Sequence, residues 1–171
     1  MGNGTVNIAV SDAGPLIHLS EISCLSLLRI FETIHIPNAV WSETVGQNRV
    51  PKDDILLLGN IQQHNLAQHE VIQFTQKNGL EKLQNGEREC FCLCQKIDVS
   101  VLLTDDMAVR KKAFHLNLTP VGALGIVVRA YRSGHVSLDS AKHHIANLYY
   151  VSSLFVTRTI VEMAIEQLEK W

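Results

Sequence analysis

Residues 99–106 read Val99-Ser100-Val101-Leu102-Leu103-Thr104-Asp105-Asp106, a nearly continuous apolar run closed by two acids. Such a run suits a strand buried on both faces, as in a parallel sheet, rather than a half-exposed strand with alternating polarity. Just before it, Gly86-Glu87-Arg88-Glu89 opens a stretch in which Cys90, Phe91, Leu93, Cys94 and Ile97 recur at helical spacing. After it, Met107, Val109, Ala113 and Phe114 mark another helix, residues 118–121 a short extended piece, and residues 122–131 a further helix. Helix, buried strand, helix, strand, helix is the rhythm of an α/β fold.

The same rhythm extends toward the N-terminus. Residues 6–12 form a β-prone run that stops at Ala13-Gly14-Pro15, and a helical pattern carries Leu16, Ile17 and Leu19 and then Leu25, Leu27, Leu28 and Phe31. Residues 32–36 suit a second strand, and Pro37 fits the first turn of a helix bearing Val40, Trp41 and Val45. Between 46 and 85 the spacing predicts a helix near 52–58, a strand near 65–72 and a helix from Phe74 to Leu83. Two helices fill 137–171, the last from Thr157 to Trp171 with Ile160, Met163, Ala164 and Leu168 along one stripe. Thr159-x-x-Glu162 matches a capping box but would start that helix two residues later. The expected architecture is a mostly parallel central sheet of about four to five strands with helices on both sides. Residues 1–171 are expected to form a single domain, with 137–171 as a C-terminal helical pair that could stand as an appendage.

Composition removes several classes. With 171 residues, 46% hydrophobic content and a formal net charge of −2, the chain can bury a sizeable core and is not of the disordered type. No run approaches the roughly 18 apolar residues of a membrane span. Residues 1–5 lack the basic start and apolar stretch of a signal peptide, and Val6 breaks a myristoylation pattern. Cys90, Cys92 and Cys94 are spaced C-x-C-x-C, unlike zinc or redox pairs, and with Cys24 read as small core hydrophobes suited to a reducing cytoplasm. The eight histidines are scattered and read as solvated or core-edge.

The acids fall where open α/β sheets build sites, beyond the carboxyl ends of strands. Asp12 ends the first strand, Asp105 and Asp106 end the apolar strand, Glu43 lies on the helix after the second strand, and Glu87 and Glu89 lie in a helix first turn. Each has a plain structural alternative: dipole complements for Glu87 and Glu89, a solvated face for Glu43, an N-cap for the Asp105-Asp106 pair. Taken together, acids converging on one pocket would repel one another unless a cation neutralised them. Oxygen ligands without Cys or His point to magnesium or manganese, and the chemistry such a site supports is hydrolysis at phosphorus.

Five segments in order then carry a resemblance. They are residues 10–17 (Val-Ser-Asp-Ala-Gly-Pro-Leu-Ile), 36–43 (Ile-Pro-Asn-Ala-Val-Trp-Ser-Glu), 86–89, 102–106 with Arg110, and 119–125 (Thr-Pro-Val-Gly-Ala-Leu-Gly). Over roughly residues 6–135 the chain resembles the PIN domain, the fold of VapC-type toxin ribonucleases, and in particular a group of uncharacterised prokaryotic PIN-like proteins. The resemblance implies a PIN-like three-layer α/β/α fold and a Mg2+- or Mn2+-dependent ribonuclease, expected to cleave as an endonuclease. It implies site acids at Asp12, Glu43, one or both of Glu87 and Glu89, and Asp106, with Asp105 in or behind the metal shell. Ser11 or Thr104 could hold a metal-bound water or the scissile phosphate. It also implies a homodimer or higher homo-oligomer and, for a toxin, a small antitoxin protein as partner.

RNA is the expected substrate, with Arg88, Arg110, Lys111 and Lys112 flanking the acids as phosphate contacts. Aromatic residues make up only 6% of the chain, which favours recognition by backbone charge and RNA shape over base stacking. Two other readings use the same residues: a catalytically silent PIN-like module that binds RNA or a protein, and a phosphoacceptor or phosphatase site. The last wants an acidic pair or D-x-D-x-T after the first strand, which Ser11-Asp12-Ala13-Gly14-Pro15 does not supply.

Overall fold

The structure, a computed structural model, describes residues 7–171. The readings that fall on residues 1–6, including the N-terminal targeting patterns and the start of the first strand at Val6, lie outside the described residues. Five strands, β1 (Ile8–Ser11), β2 (Thr33–Pro37), β3 (Ile61–His64), β4 (Val101–Leu103) and β5 (Thr119–Val121), form one sheet in the order β3-β2-β1-β4-β5. Every pairing is parallel. The fold is therefore α/β with a wholly parallel sheet, and β1 sits at its centre with β2 and β4 on either side.

Each helix follows from a local signal. Asp12 caps α1 (Ala13–Glu21) by accepting from the Ala13 backbone N–H at 2.8 Å, and Pro15 stands in the first turn, where its missing N–H is not required. The apolar pattern expected to run on to Phe31 is interrupted, because Ser23 takes a positive φ of 57° and Leu25–Ile30 form a 3-10 segment. α2 (Asn38–Trp41) widens into a π-helical turn over Ser42–Gly46, where the Thr44 hydroxyl bonds the Val40 carbonyl at 2.8 Å. Such widened turns recur at functional sites, and this one carries Glu43. α3 spans Lys52–Leu57 as expected.

The next stretch corrects the sequence reading. β3 lies at 61–64, not 65–72, and α4 spans Gln68–Asn78, not 74–83. Ile61-Gln62-Gln63-His64 is mostly polar because β3 is an edge strand, so it carries no burial pattern to recognise. Val71 and Thr75 are β-prone types, yet they are buried one helical turn apart on α4. That helix ends at Gly79, in the left-handed region with φ 64°.

α5 (Asn85–Lys96) packs across β1, β2 and β4, with Cys90, Cys92 and Cys94 buried and unpaired. α6 (Met107–His115) and α7 (Ala123–Arg132) follow β4 and β5. α8 (Leu138–Tyr150) packs on α7, and α9 (Arg158–Glu169) on both. Ala141, Ile145, Leu148, Val161, Ala164 and Leu168 join the same continuous apolar core as the sheet. The buried stripe of α9 is Val161, Ala164 and Leu168, while Ile160 and Met163 face outward. Thr157, not Thr159, caps this helix through its bond from the Ile160 N–H. No helix among the described residues is long and apolar enough to cross a membrane.

Candidate active site

Strand order creates one special place. From β1 the chain builds outward through β2 and β3 on one side and through β4 and β5 on the other. The carboxyl ends of β1 and β4 thus meet at a topological switch point, where such sheets open a crevice. Ser11 pairs in register with Leu103, and the Asp12 N–H donates to the Leu103 carbonyl at 2.9 Å. The residues just beyond, Asp12 on one strand and Asp105 and Asp106 on the other, are therefore neighbours although some 90 positions apart.

A cleft of about 320 Å³ lies there, lined by Asp12, Glu43, Glu87, Asp105 and Asp106 together with Gly14, His18, Gln84 and residues 153–155. Asp12 is 7% exposed. Its Oδ1 accepts from the Ala13 N–H and its Oδ2 from the Thr104 hydroxyl at 3.1 Å. Burial pushes its carboxyl up to about 7 against those two bonds, and the charges of Glu87 and Glu43 push the same way. Glu87 closes the first turn of α5, its Oε2 accepting from the Gln84 N–H at 2.8 Å. Burial raises its pKa as well, with the charges of Asp106 and Glu43 adding to the rise. Glu43 reaches the cleft from the π-helical turn, close to the first turn of α5: a Cβ on Gly86 would stand 3.6 Å from Glu43 Oε2.

Asp106 caps α6, its Oδ1 accepting from the N–H groups of Ala108 and Val109 at 2.8 and 3.0 Å. Its dull role as an N-cap and its place on the cleft coexist. Asp105 is held from two sides: Oδ1 accepts from the Ala123 N–H at 2.7 Å, and Oδ2 lies 2.7 Å from His18 Nδ1. This packing leaves no room for a side chain at Gly122, where a Cβ would come within 2.5 Å of Asp105 Oδ1.

Other expected residues fall outside the cleft. Glu89 is 4% exposed and faces α2, accepting from the Ala39 N–H at 3.2 Å and from Asn85 Nδ2 at 3.3 Å. Its carboxylate meets the N-terminus of the helix that leads to Glu43. The Ser11 hydroxyl is spent on the Asp12 carbonyl. Thr104 is fully buried and serves the acids, donating to Asp12 and accepting from the Asp106 N–H at 3.3 Å. Arg88 turns to the Glu81 carbonyl and Arg110 to the Thr104 carbonyl, so neither lines the cleft, and Lys111 and Lys112 do not line it either.

His18 is the residue that sequence reasoning missed. Its isolation in the sequence suggests only a solvated or core-edge side chain, but it stands one helical turn beyond Gly14 and lines the cleft. Its position six residues after Asp12, on the same helix that Asp12 caps, was the available signal.

The donor set is all carboxylate, and the buried Asp12 carboxyl has a strongly raised pKa. Both suit a hard divalent cation, whose charge would stabilise the ionised acids. As arranged, the acids ring the cleft without closing on one point: among the described residues no three His, Cys, Asp or Glu side chains stand together as a ready metal cage.

Residues 8–170 match a family model described as a PIN domain. No curated protein and no solved structure matches the chain.

Proposed function

The chain belongs to the PIN-domain family, and on that premise we propose that its acidic cleft is the active site of a Mg2+- or Mn2+-dependent ribonuclease. PIN domains are as a family nucleases that act with divalent cations. The observation that carries the reading is the gathering of Asp12, Glu43, Glu87 and Asp106 on one cleft at the β1–β4 switch point, with Asp12 pushed up to about 7.

In this reading Asp12, Glu43, Glu87 and Asp106 hold the cation, and Asp105 stands behind them, its oxygens engaged by His18 and Ala123. A cation held there would supply Lewis-acid polarisation of a phosphoryl oxygen and a lowered pKa for a water. The chain's own groups set the geometry. The Thr104 hydroxyl orients the Asp12 carboxylate and, through the Asp106 N–H, fixes the turn that presents Asp106. Asp105 fixes the His18 ring through Nδ1, so Nε2 is the ring nitrogen left for a substrate oxygen. Glu89 anchors the N-terminus of α2 and so the reach of Glu43. A small antitoxin partner and a homo-oligomer extend the same reading.

A second reading, a catalytically silent module that binds RNA or a protein, draws on one observation: the acids do not close on a single point. One experiment separates the two. Purified protein is incubated with single-stranded and structured RNA, with Mn2+, with Mg2+ and with EDTA, beside Asp12→Asn. Cation-dependent cleavage abolished by Asp12→Asn supports the nuclease; cleavage that survives the substitution, or RNA left intact in every arm, overturns it.

A further inference from the structure

The turn between α8 and α9 ends at the acidic cleft and carries a feature the acids do not explain. Phe155 is 95% exposed, and with Ser153 and Leu154 it forms part of the cleft wall. The turn is tied down rather than loose. Glu21, at the end of α1, accepts from the Ser153 backbone N–H at 2.6 Å and from the Ser153 hydroxyl at 2.8 Å. The Ser152 hydroxyl bonds back to the Leu148 carbonyl at 2.6 Å and receives the Leu154 N–H at 3.2 Å. Thr157 then caps α9. A phenyl ring is thus held in water, on a bonded turn, at the mouth of the cleft.

More aromatic surface adjoins it in the chain. Tyr149 and Tyr150 meet edge to face with ring centroids 4.8 Å apart, and Tyr150 is 75% exposed. Arg158, the first residue of α9, donates to Glu162 at 2.7 Å on the exposed surface of that helix. Exposed rings are what sequence-tolerant single-strand binding uses, because every base offers a face to stack on. The bases of a duplex are already stacked on one another, so an exposed ring selects unpaired ones.

We propose that Phe155 is a stacking platform for an unpaired nucleobase flanking the phosphate held at the acidic cleft. The inference rests on the nuclease reading and adds a side chain that would contact an unpaired base beside the scissile phosphate. Phe155 is a specificity-determining residue here, not a catalytic one. It also revises the expectation, drawn from the 6% aromatic content, that base stacking plays little part: one aromatic side chain suffices if the fold sets it beside the site.

The test uses the full chain and a short single-stranded RNA with phosphorothioate linkages, carrying 2-aminopurine at successive positions, in Mg2+. Wild type should quench the probe at one position. Phe155→Ala should abolish that quenching and bind roughly ten- to a hundredfold more weakly, as for loss of one base–aromatic stack. Phe155→Trp should retain both signals. On cleavable RNA, Phe155→Ala should raise KM with kcat held, and a fully duplex RNA should show no difference between the proteins. If wild type cleaves RNA but Phe155→Ala binds, quenches and cleaves alike, the stacking platform is refuted and the nuclease stands. If wild type neither binds nor cleaves RNA, both fall. If sedimentation shows Phe155→Ala turning a dimer into a monomer with RNA binding intact, the ring belongs to a contact between copies and the inference is overturned. Phe155 lies at the surface, so equal melting temperatures should confirm that the variant folds.

Discussion

The Thr104 hydroxyl donates to Asp12 Oδ2 across 3.1 Å, joining the carboxyl end of β4 to that of β1 beneath the cleft. A fully buried hydroxyl thereby sets the position of the largely buried acid at the centre of the site. The bond also favours the ionised carboxylate, but burial outweighs it, and the Asp12 pKa is raised to about 7.

Metal-free stability should therefore fall as pH rises. Between the ordinary value of 3.8 and about 7 the folded chain keeps a proton at Asp12 that the unfolded chain has lost. More protons bound to the folded state means that stability declines with increasing pH across that window, by on the order of 4 kcal/mol at most. In EDTA at pH 8, Asp12→Asn should melt roughly 5–10 °C above wild type. At pH 4 the two should converge. Equal melting curves at pH 8 would contradict the buried charge.

Cation addition should narrow that gap. Mg2+ or Mn2+ at about a hundred times its Kd should stabilise wild type by about 2.7 kcal/mol. Asp12→Asn, Glu43→Gln and Glu87→Gln should lose most of that response and lower any cleavage rate on the order of a hundredfold or more. Thermal melts with and without the cation measure the first effect, gel-based cleavage the second.

Glu87 and Glu89 should part company. Glu89→Ala leaves the half-buried Ala39 N–H and the exposed Asn85 amide without their carboxylate acceptor, which should lower stability by about 1–2 kcal/mol in the absence of metal. Glu87→Gln should be far milder in EDTA and far more damaging to the cation response. Chemical denaturation of the two variants, each with and without Mn2+, reads out both quantities.

Gly122→Ala should displace Asp105, since the added Cβ would lie within 2.5 Å of its Oδ1. A loss of about 1–3 kcal/mol is expected from the overpacking. The His18 ring signals in NMR should shift as well, because His18 is bonded to the same carboxylate. An unchanged His18 spectrum would show that the strain is absorbed elsewhere.

Much of this fold was legible because its central strands are apolar on both faces. The run at 101–103 and the abrupt halt at Asp12-Ala13-Gly14-Pro15 announce themselves in the sequence. β3 does not, since an edge strand made of Ile-Gln-Gln-His has no hydrophobic pattern to display. The cleft divides similarly. Asp12, Glu43, Asp105 and Asp106 could be placed because strand ends and the helix after a strand have fixed positions in such folds. Glu87 and Glu89 could not be separated, since two residues apart on a helix means roughly opposite faces, and only packing decides which face meets the cleft. His18 and Phe155 were missed for a different reason. Their importance comes from tertiary proximity, Asp105 lying 87 positions from the histidine and Glu21 132 positions from the turn that holds the phenylalanine.

The central place of β1 bears on how the protein is made. β1 precedes its second neighbour, β4, by some 90 positions in the chain, and β4 is not complete until residue 103. Until then one edge of β1 is open and half of the crevice wall does not exist. A chain interrupted earlier would already carry Asp12, Glu43 and Glu87, but no cleft in which to gather them. Synthesis thus delays assembly of the acidic cleft until β4 has emerged, and a chain broken off before that strand would lack one wall of it.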